Sequence, residues 1–183
     1  MSNFELLQQI SIQKITINEV EALQAISRLT FYETFAAVNT EENMSRYLEN
    51  DLSLERLSEE LSNPYSEFYL ASLENEVIGY LKINCESAQT ERKTANSLEI
   101  ERIYVRKEFQ GKNIGQLLLA NAFQIAKEKG NENVWLGVWE ENKRAIRFYQ
   151  KFGFEEFDKH IFMLGEDAQT DILMRKKLIQ IVP

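Results

Sequence analysis

This sequence predicts a mixed α/β domain, α+β or α/β in class, built on a central mixed sheet, and three observations carry that expectation. Strand-like alternation and helix-like spacing take turns through the middle of the chain. Strand–turn–strand patterns stand on either side, at 68–73 with 77–85 and at 154–164 with 171–179. Helices between strands in the middle and hairpins towards both ends argue for parallel and antiparallel pairing in one sheet. Finally, no Pro/Gly/Ser-rich linker, repeat or low-complexity run divides the 183 residues, which hold two prolines, Pro64 and Pro183, and seven glycines. Residues 1–183 are therefore expected to form one domain with a substantial core.

Residues 11–17 read as a first strand, with Ile15 and Ile17 on one face and Lys14 and Thr16 polar beside them. Residues 19–38 show helical spacing in Val20, Leu23, Ile26, Leu29, Phe31 and Phe35. Thr40 is placed to cap a second short helix whose first turn holds Glu41 and Glu42, where negative charge meets the positive end of the helix dipole. A third helix is expected over 53–62, stopped at Asn63-Pro64. The strand 77–85 alternates, with Val77, Gly79, Leu81, Ile83 and Cys85 on one face. Residues 86–97 are polar and read as an exposed loop.

The strand at 98–105 is irregular. Leu98 and Ile100 share one parity, while Ile103 and Val105 share the other. Two readings fit: a β-bulge near Glu101-Arg102 or a strand buried on both faces. An amphipathic helix follows from about Gln116 to Gly130, where the glycine suits a C′ position. Then come an apolar strand at 134–139, a helix at 141–152 ended by Gly153, and two strands that can pair antiparallel.

Composition narrows the function classes. The net charge is −8, and the most basic short run is Arg175-Lys176-Lys177, so broad nucleic-acid binding is not expected. An acidic surface favours cationic small molecules through long-range steering. No apolar run reaches the roughly 18 residues of a membrane span, and Met1–Glu5 lacks the basic start of a secretory leader. A single cysteine, Cys85, rules out an intramolecular disulfide framework and fits a cytoplasmic setting; its parity makes it a core residue. His160 is the one histidine and has no cysteine or second histidine near it in sequence, so no metal is expected.

The most informative stretch is Ile103-Tyr104-Val105 followed by Gln110-Gly111-Lys112-Asn113-Ile114-Gly115 and a helix. A strand feeding a glycine-containing loop at a helix start makes an anion site, because the first backbone N–H groups lack partners and the dipole points the same way. A phosphate or pyrophosphate is the expected guest. Downstream stands Asn142-Lys143-Arg144-Ala145-Ile146-Arg147-Phe148-Tyr149-Gln150-Lys151-Phe152-Gly153-Phe154. Together these resemble the GNAT superfamily of N-acetyltransferases: the first its Gln/Arg-x-x-Gly-x-Gly/Ala pyrophosphate loop, the second its Asn-x-x-Ala-x-x-Phe-Tyr-x-Lys-x-Gly-Phe signature. Asn113 departs from the pattern where the family usually has glycine, and asparagine tolerates the left-handed conformation that position needs. Thr30–Phe35, Asn39–Met44 and Tyr47-Leu48 are similar to the bacterial PaiA-type members, which act on polyamines such as spermidine and spermine.

The resemblance implies a GNAT fold of about seven strands, mostly antiparallel, splayed between the fourth and fifth and flanked by helices. It implies acetyl-CoA as cosubstrate, on Ile103, Tyr104 and Val105 of the strand, on Gln110, Gly111, Lys112, Asn113, Ile114, Gly115 and Gln116 of the loop, and on Asn142 and Lys151. Tyr149 becomes the candidate acid for the departing thiol, against the plain reading of a core aromatic beside Phe148 and Phe152. Glu99 and Glu101 are candidate bases, against solvated carboxylates or partners of Arg102. Tyr32, Glu33, Phe35, Glu41 and Glu42 are candidates for holding a cationic amine, against ordinary helix surface. A protein N-terminus or lysine as acceptor, and a CoA-binding regulator with weak catalysis, are the alternatives; a homodimer is left open.

Overall fold

The computed structural model describes residues 3–91, 94–164 and 167–178. The chain runs α1 (Asn3–Gln8), β1 (Ile10–Lys14), α2 (Val20–Phe35), α3 (Glu41–Asn50), α4 (Leu54–Ser62), β2 (Ser66–Leu73), β3 (Glu76–Asn84), β4 (Ser97–Val105), α5 (Ile114–Glu128), β5 (Asn133–Trp139), α6 (Lys143–Lys151), β6 (Glu155–Leu164) and β7 (Asp167–Lys177). The expected end of the last strand, Ile179, lies outside the described residues, as do Arg92 and Lys93 of the expected loop.

Seven strands form one sheet in the order β1-β2-β3-β4-β5-β7-β6. Every pair is antiparallel except β4 with β5. That parallel pair is short: Ser97, Leu98 and Glu99 stand opposite Asn133, Val134 and Trp135, and beyond them the two strands part. The expected mixed sheet, splayed between its fourth and fifth strands, is the observed one.

Two bulges decide which face each side chain takes. Lys82 pairs with Arg102 and Ile83 with Ile100, so Glu101 is the extra residue in β4. The bulge brings Leu98, Ile100, Ile103 and Val105 to one core despite their change of parity, and the four residues from Ser97 to Ile100 are buried as well. The second bulge corrects the alternation expected for β3. Ala71 pairs with Gly79 and Ser72 with Val77, leaving Ile78 unpaired. Ile78 therefore packs with Leu81 and Ile83, while Val77 turns to the opposite core. Gly79 sits where β3 presses on β4: a Cβ there would lie 2.6 Å from the Tyr104 carbonyl oxygen.

One core lies under α5 and α6 and is built on Leu98, Ile100, Leu118, Ala122, Val134 and Leu136. The other lies under α2, α3 and α4 and is built on Leu23, Ile26, Phe31, Met44, Leu57 and Tyr80. Thr40 and Ser53 cap α3 and α4 by accepting from Asn43 N–H and Arg56 N–H. Gly130, at φ +72°, closes α5: its N–H donates to the Lys127 carbonyl and that of Asn131 to the Ala126 carbonyl, the double bond of a Schellman ending. Residues 3–8 form a helix, an element the sequence pattern did not announce. Two expectations are corrected. β1 ends at Lys14, so Ile17 lies in a 3-10 turn capped by Thr16 and is 48% exposed. Leu29 is exposed on the outer side of α2. No helix among the described residues is long and apolar enough to cross a membrane.

Candidate active site

Where β4 and β5 part, the sheet opens into a cleft of about 780 Å³. It runs from the loop before α5 to the β6–β7 hairpin, between α2 on one side and α6 on the other. Backbone groups of β4 and β5 beyond the short parallel ladder have no partner strand across this gap.

The loop end is set by local geometry. Gln110 donates from Nε2 to the Val105 carbonyl (3.1 Å) and accepts from the Arg144 guanidinium (2.8 Å), tying the loop to β4 and α6. Gly111 turns at φ +81° with open space where a Cβ would be. Asn113 holds the left-handed conformation (φ 64°, ψ 12°) and no side chain caps α5, so the N–H groups of Ile114 and Gly115 are left to the cleft, while that of Gln116 is shared with the Asn113 carbonyl (3.1 Å). Gly111, Asn113, Ile114, Gly115 and Gln116 all border the cleft, whereas Lys112 and Lys151 do not: they lie over the rings of Phe109 and Phe152. Ile103, Tyr104 and Val105 line it from β4.

Asn142 caps α6, its side-chain oxygen accepting from Ala145 N–H at 3.1 Å. The amide NH2 is left as a donor at the cleft wall. An asparagine before an amphipathic helix is itself a cap signal in the sequence. Tyr149 is a core aromatic that also reaches the cleft. Its ring packs edge-on against Phe148 and Phe154 and is buried, yet it borders the cleft, and among the described residues its hydroxyl has no hydrogen-bond partner. Burial raises the phenol above its ordinary range, so it is protonated at neutral pH.

The two glutamates of β4 share one neighbour and differ in everything else. Asn84 Nδ2 donates to Glu101 at 2.5 Å and to Glu99 at 3.1 Å. Glu99 is 2% exposed, accepts from Thr90 N–H (2.8 Å) and from the Thr90 hydroxyl, and has no ion pair among the described residues. Burial is the main cause that lifts its carboxyl above the usual range, against the Thr90 bonds. Glu101 is half-buried, but Arg102 (3.1 Å) and Lys82 (2.6 Å) outweigh the loss of water and hold it below the usual range. Glu60 completes the cluster, bidentate to Arg102 (2.9 and 3.1 Å) and 2.9 Å from Lys82. Two carboxylates pushed in opposite directions are suited to different tasks.

The far end differs from what the sequence suggested. Phe35 lines the cleft, its ring 6.2 Å from Trp139. Glu33 borders it, but its carboxylate accepts from Lys107 N–H at 2.8 Å and holds the turn before the loop. Tyr32 is 56% exposed and outside the cleft. Glu41 and Glu42 lie on a separate shallow surface of α3 with Arg46. Helix spacing places residues on a helix and says nothing of which helix face meets a cleft formed by distant strands. In their place stand residues that sequence reading missed: Trp135, Gln169, Asp171 and His160, together with Arg144 at the loop end. Gln169 donates to Asn39 at 3.1 Å, joining the hairpin to the α2–α3 connection. Among the described residues no group of three His, Cys, Asp or Glu is arranged to hold a metal ion.

The acetyltransferase (GNAT) family model matches residues 28–154. An uncharacterized N-acetyltransferase of Lactobacillus delbrueckii subsp. lactis is 41% identical over 174 residues, 93% of this chain and 98% of that protein. The spermidine N(1)-acetyltransferase of Thermoplasma acidophilum is 28% identical over 172 residues, 92% of this chain and 97% of that protein. Among solved structures, the PaiA N-acetyltransferase of Thermoplasma acidophilum in complex with coenzyme A superposes with a TM-score of 0.76 at 29% identity, covering 92% of this chain and 99% of that one.

Proposed function

Since this chain belongs to the GNAT acetyltransferase family and is an acetyl-CoA-dependent N-acetyltransferase, we propose that the amine it acetylates is a linear polyamine of the spermidine kind. The observation that carries this reading is the lining of the cleft, where the carboxylates of Glu99 and Asp171, neither of them in an ion pair with a lysine or arginine among the described residues, stand with the aromatic rings of Phe35 and Trp139. Carboxylates spaced along a channel suit several ammonium groups, and aromatic faces suit the methylenes and cations between them. The similarity to a spermidine N(1)-acetyltransferase over nine-tenths of the chain supports the same class.

In this reading the pyrophosphate of acetyl-CoA rests on the N–H groups from Gly111 to Gln116, with Arg144 beside them as a forked donor. The pantetheine arm takes up the backbone groups of Ile103 and Val105 that lack a partner strand, and the amide of Asn142 donates to it. The amine attacks the thioester carbonyl directly: the C–N bond forms, the C–S bond breaks, the sulfur takes a proton from Tyr149, and the acylated nitrogen gives up its second proton to solvent, from which Tyr149 is reprotonated. An alkyl ammonium is only about one part in 10³ neutral at pH 7, so removing its proton is a distinct task. Glu99 suits it, because its raised carboxyl lies closer to neutrality than that of Glu101, and bases are most effective there. Glu101, held ionised by Lys82 and Arg102, belongs to a balanced ion cluster and is a poor proton acceptor.

The reading is tested by an amine panel with thiol release as the readout: spermidine, spermine, diaminoalkanes, an aminoglycoside and a short peptide. Turnover is expected with the polyamines. Turnover with the peptide alone replaces the polyamine by a protein acceptor, and CoA binding without turnover of any amine leaves a regulator.

The pH profile tests the base. Glu99 works only when ionised, and its folded-state carboxyl is raised, so kcat/KM falls as pH drops through a value above the ordinary carboxylate range. Glu99→Gln is expected to remove that acid limb and leave the titration of the amine. Superimposable profiles for the two proteins would remove Glu99 from the proton path.

A further inference from the structure

Among the described residues, Asp171 on β7 is a carboxylate without a donor. Its side chain is only 18% exposed, yet among the described residues no group hydrogen-bonds to it, and the imidazole Nε2 of His160 stands 3.9 Å away, beyond hydrogen-bond reach. His160 is itself turned the other way, with Nδ1 2.5 Å from Glu91. A partly buried carboxylate left in this state has lost water without gaining a partner, which is unfavourable unless something else supplies one.

The backbone opens a path to it. Asp171 and His160 are paired across β6 and β7, and Asp171 is paired with Trp139 of β5. Trp135, Gly137 and Trp139 alternate on that same face, so Gly137 is the gap between two tryptophans. A Cβ at 137 would stand 3.5 Å from the Asp171 carboxylate, in front of it. Gly137 is not at positive φ, so its backbone does not require glycine. Glycine inside a strand weakens it and commonly marks the close approach of a ligand.

We propose that Asp171, uncovered by Gly137, receives a second ammonium of the acceptor, so that the enzyme selects its substrate by a remote charge as well as by the nitrogen it acetylates; this rests on the polyamine reading above. The spacing selects for length. Glu99 is opposite Trp135 and Asp171 opposite Trp139, a separation of about 13 Å along the strands at ~3.3 Å per residue. A long linear amine spans the two carboxylates and a short one does not. Burial, which raises the Asp171 carboxyl against the pull of His160, agrees with a group waiting for a cation.

The test compares spermidine with a mono-amine of matched length, in which carbon replaces the remote nitrogens. In Asp171→Asn, kcat/KM for spermidine is expected to fall about 10- to 100-fold, mostly through KM, as losing one charged hydrogen bond predicts. The mono-amine is expected to change less than about twofold, since it makes no contact there. Gly137→Ala, whose methyl meets only ordinary contacts, is expected to reproduce the selective loss by covering the carboxylate. An equal loss for both amines, or none for spermidine, overturns the proposal. A wild-type enzyme that acetylates the mono-amine and not spermidine overturns the polyamine reading along with it.

Discussion

Tyr149→Phe is expected to lower kcat by about 100-fold or more, the usual worth of a positioned acid, while the Kd for CoA and the Tm stay close to wild type. The substitution removes one oxygen and keeps the ring that packs on Phe148 and Phe154, so the core it belongs to is preserved. The hydroxyl has no hydrogen-bond partner among the described residues, so its loss leaves no buried group stranded. What disappears is a donor at the cleft wall, protonated at neutral pH because burial raises it. A departing thiolate with a pKa near 8.5 gains from such a donor in the transition state and not before. The loss therefore belongs in kcat. Unchanged turnover with both substrates saturating returns Tyr149 to the status of a core aromatic, and a loss confined to CoA affinity makes it a binding residue.

The parts of this site that are contiguous in sequence were legible there, and the parts that meet across the sheet were not. The loop at 110–116 carries its conformation in its own residues: Gly111 and Asn113 take positive φ because glycine and asparagine tolerate it. The bulge at Glu101 betrayed itself as a parity change within nine residues of β4. The bulge at Ile78 left no such mark, because Val77 and Ile78 are both apolar and either can face a core. Asp171 and His160 become partners only when β6 pairs with β7, and they reach the cleft only because β7 inserts beside β5. Nothing within ten residues of His160 announces that. The acidic residues at the start of α3 had a sufficient local reason to be there, the dipole of that helix, and the cleft makes no use of them.

The same long-range logic makes Glu60 the most consequential residue for stability. It sits on α4, 42 positions from Arg102, and is 9% exposed. With Glu101 it neutralises Lys82 and Arg102, so the cluster holds two negative and two positive charges in the interior. Glu60→Ala removes one negative charge and strands a positive one, because Lys82 is 4% exposed and cannot turn outward. Breaking one member of a buried ion cluster costs about 3–5 kcal/mol, and urea denaturation of the variant is expected to show a loss of that size. Replacing a matched pair is a different matter. In Glu60→Leu with Lys82→Met, Arg102 and Glu101 remain as one balanced pair, and well-packed apolar groups substitute for a buried ion pair at little cost. The double variant is therefore expected to be more stable than Glu60→Ala alone, which simple addition of two damaging changes forbids. If the single variant loses less than about 1 kcal/mol, the cluster is solvated enough to behave as a surface ion pair, and the charges around Glu101 contribute little to holding its carboxylate ionised.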